Sequence, residues 1–112
     1  MRAHGLLDKN AFLWYNLFMK NLDKIKEKIN PILEKSDVSQ LFVFGSFARG
    51  EETKDSDLDL IVEFNKEKSL FDLAGLQLEL EEALNKKVDL LTPGGIYHRL
   101  RERIEKESIR IF

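Results

Sequence analysis

The chain has 112 residues, 43% apolar and 34% charged, with a formal net charge of -2 and no cysteine. Such a length predicts one ordinary domain with its own core, and the composition excludes a disordered tail, a disulfide framework and cysteine-bound zinc. An isoelectric point of about 5.7 argues against long-range attraction to nucleic acid phosphates, and the absent cysteine fits a reducing cytoplasm, the predicted location.

The first 18 residues include Phe12, Leu13, Trp14, Tyr15, Leu17 and Phe18, after which Met19-Lys20-Asn21-Leu22 reads as a conventional beginning. Two readings compete: added residues ahead of a native start at Met19, or an aromatic helix that docks a partner. The first is favoured, because closely packed apolar residues need a cover that a small domain does not supply. The expected organisation is therefore an N-terminal extension, 1–18, and a single domain, 19–112. The run Ala11 to Met19 is interrupted by Asn16 and reaches half of the roughly 20 residues a membrane helix requires. With Asp8 ahead of it and no small-residue cleavage site behind, it also fails as a signal peptide.

From Leu22 to Leu33, apolar residues recur at Leu22, Ile25, Ile29 and Ile32/Leu33, the spacing of an amphipathic helix. After a polar break, Lys35 to Gln40, the run Leu41-Phe42-Val43-Phe44 predicts a buried strand ended by Gly45-Ser46. Phe47 to Gly50 is expected as a helical turn or more, and Glu51 to Ser56 as a loop. Leu58 to Phe64 predicts a second strand. A helix is expected over Leu70 to Leu84, with Leu70, Leu73, Leu76/Leu78, Leu80 and Leu84 apolar and Glu79, Glu81 and Glu82 exposed. Val88 to Leu91 is a third strand, stopped by Thr92-Pro93-Gly94-Gly95. Tyr97 to Lys106 is a helix, and Ile109 to Phe112 an extended tail. The order αβαβαβα predicts an α/β domain of the α+β type, a small central sheet flanked by helices.

Chemistry concentrates in Gly45-Ser46-Phe47-Ala48-Arg49-Gly50 and Ser56-Asp57-Leu58-Asp59-Leu60. Strand alternation puts Asp57 and Asp59 on one face and Leu58, Leu60, Val62 and Phe64 on the other. Asp89, between Val88 and Leu90, turns away from the core in a neighbouring strand, so three carboxylates can converge. Like charges held close repel and raise one another's pKa, and a hard divalent cation resolves the conflict. Magnesium takes one or two carboxylates and completes its shell with water and phosphate. Taken alone, Asp-Leu-Asp is also what a solvated strand end looks like.

Gly45 lets a phosphate approach the backbone, and Ser46 stands where a strand passes to a helix N-terminus with unpaired N–H groups. Alternatively Ser46 is an ordinary N-cap. Arg49 either contacts phosphate or pairs with Glu52 or Asp55, and both readings stay open. His4 and His98 lack the spacing of a metal pair, Ser46 has no neighbouring base to make it a nucleophile, and Thr92 to Gly95 lacks the lysine of a Walker loop.

The two motifs and the third aspartate together resemble the polymerase β-type nucleotidyltransferase superfamily, specifically its minimal, MNT-type members. The resemblance spans residues 41–91 in motif and order. It implies that Gly45 and Ser46, with Arg49 and Ser56 beside them, hold the phosphates of an NTP, with ATP the default. It further implies that Asp57 and Asp59 bind two magnesium ions, and that Asp89 binds one of them and helps activate the attacking hydroxyl. The implied reaction is in-line displacement at the α-phosphorus. The implied partner is a HEPN toxin encoded nearby, for which this chain is the antitoxin and a tyrosine the acceptor. Small-molecule transfer and a non-catalytic binding module are the alternatives. The missing helical acceptor domain argues against the former, the intact triad against the latter. Oligomeric state stays open, although an exposed acceptor side suggests that a second protein completes the site.

Overall fold

Leu58, Leu60 and Val62 are fully buried, whereas on the opposite face Asp59 and Glu63 retain solvent contact either side of the buried Ile61; this alternation gives the central strand one core face and one working face. The computed structural model describes residues 9–50, 56–95 and 98–112. Its elements are α1 (Lys9–Lys35), β1 (Val38–Phe44), β2 (Leu58–Phe64), α2 (Leu70–Leu84), β3 (Val88–Leu91), a 3-10 turn (Pro93–Gly95), α3 (His98–Glu107) and β4 (Ile109–Arg110). The strands form one mixed sheet in the order β3-β2-β1-β4. β1 runs antiparallel to β2 and β4, while β2 and β3 are parallel. The fold is α+β. Among the described residues no helix is long and apolar enough to cross a membrane.

On the core face, Leu41, Val43, Leu58, Leu60, Val62, Val88 and Leu90 meet Leu22, Ile29 and Leu33 of α1 and Leu76 and Leu80 of α2. α2 starts with a capping box, in which the Ser69 hydroxyl accepts from the Asp72 N–H and the Asp72 carboxylate accepts from the Ser69 N–H. It stops at Asn85, whose φ of 50° suits an asparagine C-cap. Its buried stripe is narrower than the leucine pattern predicts, for Leu70 and Leu78 face solvent at 83% and 65% exposure. Glu81, expected to be exposed, is instead partly buried, and its carboxylate accepts from the Val88 N–H at 2.9 Å, which fixes α2 to β3.

Three local expectations change. The first helix is longer than Leu22 to Leu33 and runs unbroken from Lys9 through Met19 to Lys35, with Pro31 inside it. Phe18 lies 9% exposed in the core, its ring 6.3 Å from that of Phe47. β1 begins at Val38 rather than Leu41. A positive φ at Asp37 turns the chain, and the Asp37 carbonyl accepts from the Asn65 N–H at 2.8 Å, drawing the polar residues into the ladder. Residues 47–50 form a hydrogen-bonded turn and no helix between the antiparallel β1 and β2, and the order becomes αββαβαβ. The extended tail adds β4 to the sheet and buries Ile111. Expectations for His4, for residues 51–55, for Tyr97 and for the side chains of Phe12, Trp14 and His98 lie outside the described residues.

Candidate active site

Where β1 ends, Gly45 takes φ = 74°, a conformation that favours glycine. The Arg49 N–H donates to the Gly45 carbonyl at 3.2 Å and the Gly50 N–H to the Phe47 carbonyl at 3.1 Å. This turn, and not the helix N-terminus expected at Ser46, carries Ser46 beside the end of the sheet. Phe47 plugs the turn into the core at 6% exposure.

A methyl group on Gly45 would strike the Asp59 carboxylate, with the Asp59 Cγ only 3.2 Å away. Asp59 stands opposite Phe44 on β1 and opposite Asp89 on β3. The Leu58 N–H donates to the Lys87 carbonyl at 2.9 Å, locking the two parallel strands together beside these aspartates. Asp57, two residues ahead of Asp59, is exposed at the entry to β2, and Ser56 precedes it half-buried; Asp89 is exposed.

Electrostatics ties these residues together. Partial burial raises the Asp59 pKa above the ordinary carboxylate value, the charges of Asp89 and Asp57 raise it further, and Arg49 opposes them. Among the described residues no three His, Cys, Asp or Glu side chains form a group that could hold a metal ion. The triad shares one end and one face of the sheet but does not close into the convergent cage the sequence suggests. It nevertheless suits magnesium, which takes one or two carboxylates and leaves its other positions to water and substrate phosphate. The donors are hard oxygens, and their mutual repulsion at Asp59 is what a divalent cation relieves.

The partners expected for Arg49, Glu52 and Asp55, lie outside the described residues, but a further partner is visible. The Arg49 guanidinium lies 3.7 Å from the Glu107 carboxylate, which also meets Arg103 at 3.6 Å. Glu107 lies 58 positions further along the chain, and no local pattern signals the pairing. A second feature the sequence does not signal is a cavity of about 290 Å³ on the working face, lined by Phe42, Ile61, Glu63, Pro93, Arg101, Ile104 and Ser108.

A family model described as a nucleotidyltransferase domain matches residues 22–111. The chain belongs to the nucleotidyltransferase family. A Methanocaldococcus jannaschii relative, whose name places it provisionally among the protein adenylyltransferases, is 47% identical over 91 residues, covering 81% of this chain and 98% of that one. A solved structure described provisionally as a minimal nucleotidyltransferase is 39% identical and superposes with a TM-score of 0.70, over 80% of this chain and 92% of that one. A Shewanella oneidensis structure, a tri-AMPylated HEPN toxin in complex with an MNT antitoxin, matches with a TM-score of 0.64 at 18% identity, over 81% of this chain and 71% of that one. At that identity the likeness is one of fold. The nucleotidyltransferase here is of the minimal type, with the polymerase β-like fold.

Proposed function

We propose that this minimal nucleotidyltransferase transfers AMP from ATP to a tyrosine hydroxyl of a separate HEPN-type toxin, as the antitoxin of a cytoplasmic pair. The observation that carries the catalytic part is the placement of Asp59 against Gly45 on one side and in register with Asp89 on the other. A phosphate on the Gly45–Ser46 turn is thereby brought beside the carboxylates.

Asp57, Asp59 and Asp89 would hold magnesium, which supplies Lewis-acid polarisation of the phosphate and neutralises the charge that develops on it. Gly45 and Ser46 orient the phosphates, with Arg49 and Ser56 on the same side of the site. Asp89, exposed at the outer strand, orients the incoming hydroxyl and accepts its proton. The hydroxyl oxygen bonds to the α-phosphorus as the bond to the bridging oxygen breaks, and pyrophosphate leaves. A protein acceptor also brings a surface that excludes water from so small a domain.

Support for a protein acceptor comes from the name of the Methanocaldococcus jannaschii relative, which this chain matches along nearly all of its length. Support for a toxin partner comes from the Shewanella oneidensis complex. The test is incubation with ATP, Mg²⁺ and the product of a neighbouring HEPN-like gene, followed by intact mass spectrometry. AMP added to that partner is expected, and Asp89→Asn should block transfer more severely than ATP binding. No mass shift on the partner, together with labelling of a small molecule or RNA, overturns the acceptor.

A further inference from the structure

The outward residues of β2 stand in a row, Asp59, Ile61 and Glu63, because side chains two apart share a face and lie about 6.6 Å from one another. Phe42 of β1 pairs with Ile61 two positions before the Phe44–Asp59 pair. Over this part of the sheet stands α3. Its Ile104 and Arg101, with Pro93, close the cavity of about 290 Å³ whose floor is Phe42 and Ile61 and whose wall includes Glu63. Arg101 donates to the Pro93 carbonyl at 3.1 Å, which ties the helix to the turn before it. The space is therefore mostly apolar, with Glu63 as its one carboxylate beside Arg101, which is held on Pro93, and Ser108, and it starts two residues along β2 from Asp59.

The geometry points to this cavity as the subsite for the nucleobase of the NTP, with Glu63 accepting a hydrogen bond from an exocyclic amino group such as that of adenine. The inference deepens the proposed function and rests on it. Three directions leave the α-phosphorus, and the fold gives each a different destination. The β- and γ-phosphates go to the Gly45 turn at the end of β1. The acceptor comes in beside Asp89, on the outer strand β3, across from that turn. What remains for the ribose and base is the way down the sheet face from Asp59, which leads to Ile61 and Phe42. A flat ring fits between Phe42, Ile61, Pro93 and Ile104, as bases and other aromatic ligands fit mostly apolar clefts with few polar groups. An ionised carboxylate only accepts hydrogen bonds, so Glu63 selects a ring edge that carries N–H.

The test is equilibrium binding, with Mg²⁺ present, of ATP, of purine riboside triphosphate, which lacks the 6-amino group, and of inorganic tripolyphosphate. For the wild type, ATP should bind about tenfold more tightly than purine riboside triphosphate and about a hundredfold more tightly than tripolyphosphate, because a lost hydrogen bond to a charged group and an empty apolar cleft each cost about tenfold and tripolyphosphate loses both. Glu63→Leu should erase the difference between the two nucleotides. Ile104→Trp, which fills the cleft, should bring ATP down to the level of tripolyphosphate and leave tripolyphosphate binding unchanged, which also reports that the variant is folded. If both variants bind ATP as the wild type does, the base lies elsewhere and the inference falls while the phosphate site stands. Normal ATP binding by Ile104→Trp with transfer abolished would give the cleft to the acceptor and likewise overturn it. If the wild type binds neither ATP nor tripolyphosphate, the proposed phosphate site itself fails.

Discussion

The carboxylate of Asp59 occupies the space into which a side chain on Gly45 would project. The glycine is thus needed twice, once for its φ of 74° and once because the aspartate is already there. Gly45→Ala should cost about 1–2 kcal/mol of stability from the left-handed backbone alone. It should also displace Asp59 and lower transfer by well over the effect of Ser46→Ala, which removes only a hydroxyl. Urea titration and AMP-transfer rates on both variants check this. Equal activity of Gly45→Ala and wild type would mean that Asp59 need not stand where it does.

Asp59→Asn should separate stability from function. The charge of Asp59 is disfavoured by partial burial and by Asp89 and Asp57, so removing it should raise the melting temperature of the metal-free protein. The same change removes a proposed metal ligand, and magnesium-dependent turnover should fall by at least about a hundredfold. Thermal melts without metal, and AMP-transfer rates with Mg²⁺ and ATP, give the two readouts. A variant that is destabilised without metal would contradict the electrostatic account.

Phe47 connects the phosphate turn to the core. It is 6% exposed and packs on Phe18, so Phe47→Ala should cost about 3 kcal/mol. Because the lost side chain anchors residues 45–50, ATP affinity should fall as well. Phe18→Ala should destabilise by a similar amount, with a smaller effect on ATP. Chemical denaturation with calorimetric titration distinguishes the two.

Lys68 and Asp37 make an acid-sensitive contact. The Lys68 ammonium lies 2.8 Å from Asp37, and that hydrogen bond, with the charge of Lys66, holds the Asp37 pKa below its ordinary value. A depressed carboxyl contributes stability that is present above its unfolded pKa and is lost as pH falls through the folded one. Lys68→Met should therefore lower the melting temperature slightly at neutral pH, as suits a partly exposed pair. The gap to wild type should close in strong acid. A gap that stayed constant with pH would assign the effect to packing.

Local pattern was enough for much of this molecule. Alternation in Leu58–Phe64 sets the two faces of β2, and the leucine spacing of 70–84 makes α2, because these periods repeat within a few residues. Asp59 and Asp89 could be placed on one face for the same reason, since each alternates with apolar neighbours in its own strand, and Asp57 stands one residue ahead of β2. Tertiary structure decided what depends on distant partners. Residues 47–50 became a turn because β2 returns antiparallel to β1. Polar Ser39 and Gln40 joined β1 because β2 offered them a ladder, with the Ser39 hydroxyl donating to the Glu63 carbonyl at 3.0 Å. The pairing of Arg49 with Glu107, the cleft under α3 and the collision that keeps Gly45 bare all join residues far apart in the chain. No periodicity encodes such meetings; they follow from the order of strands in the sheet and from which helix covers each face.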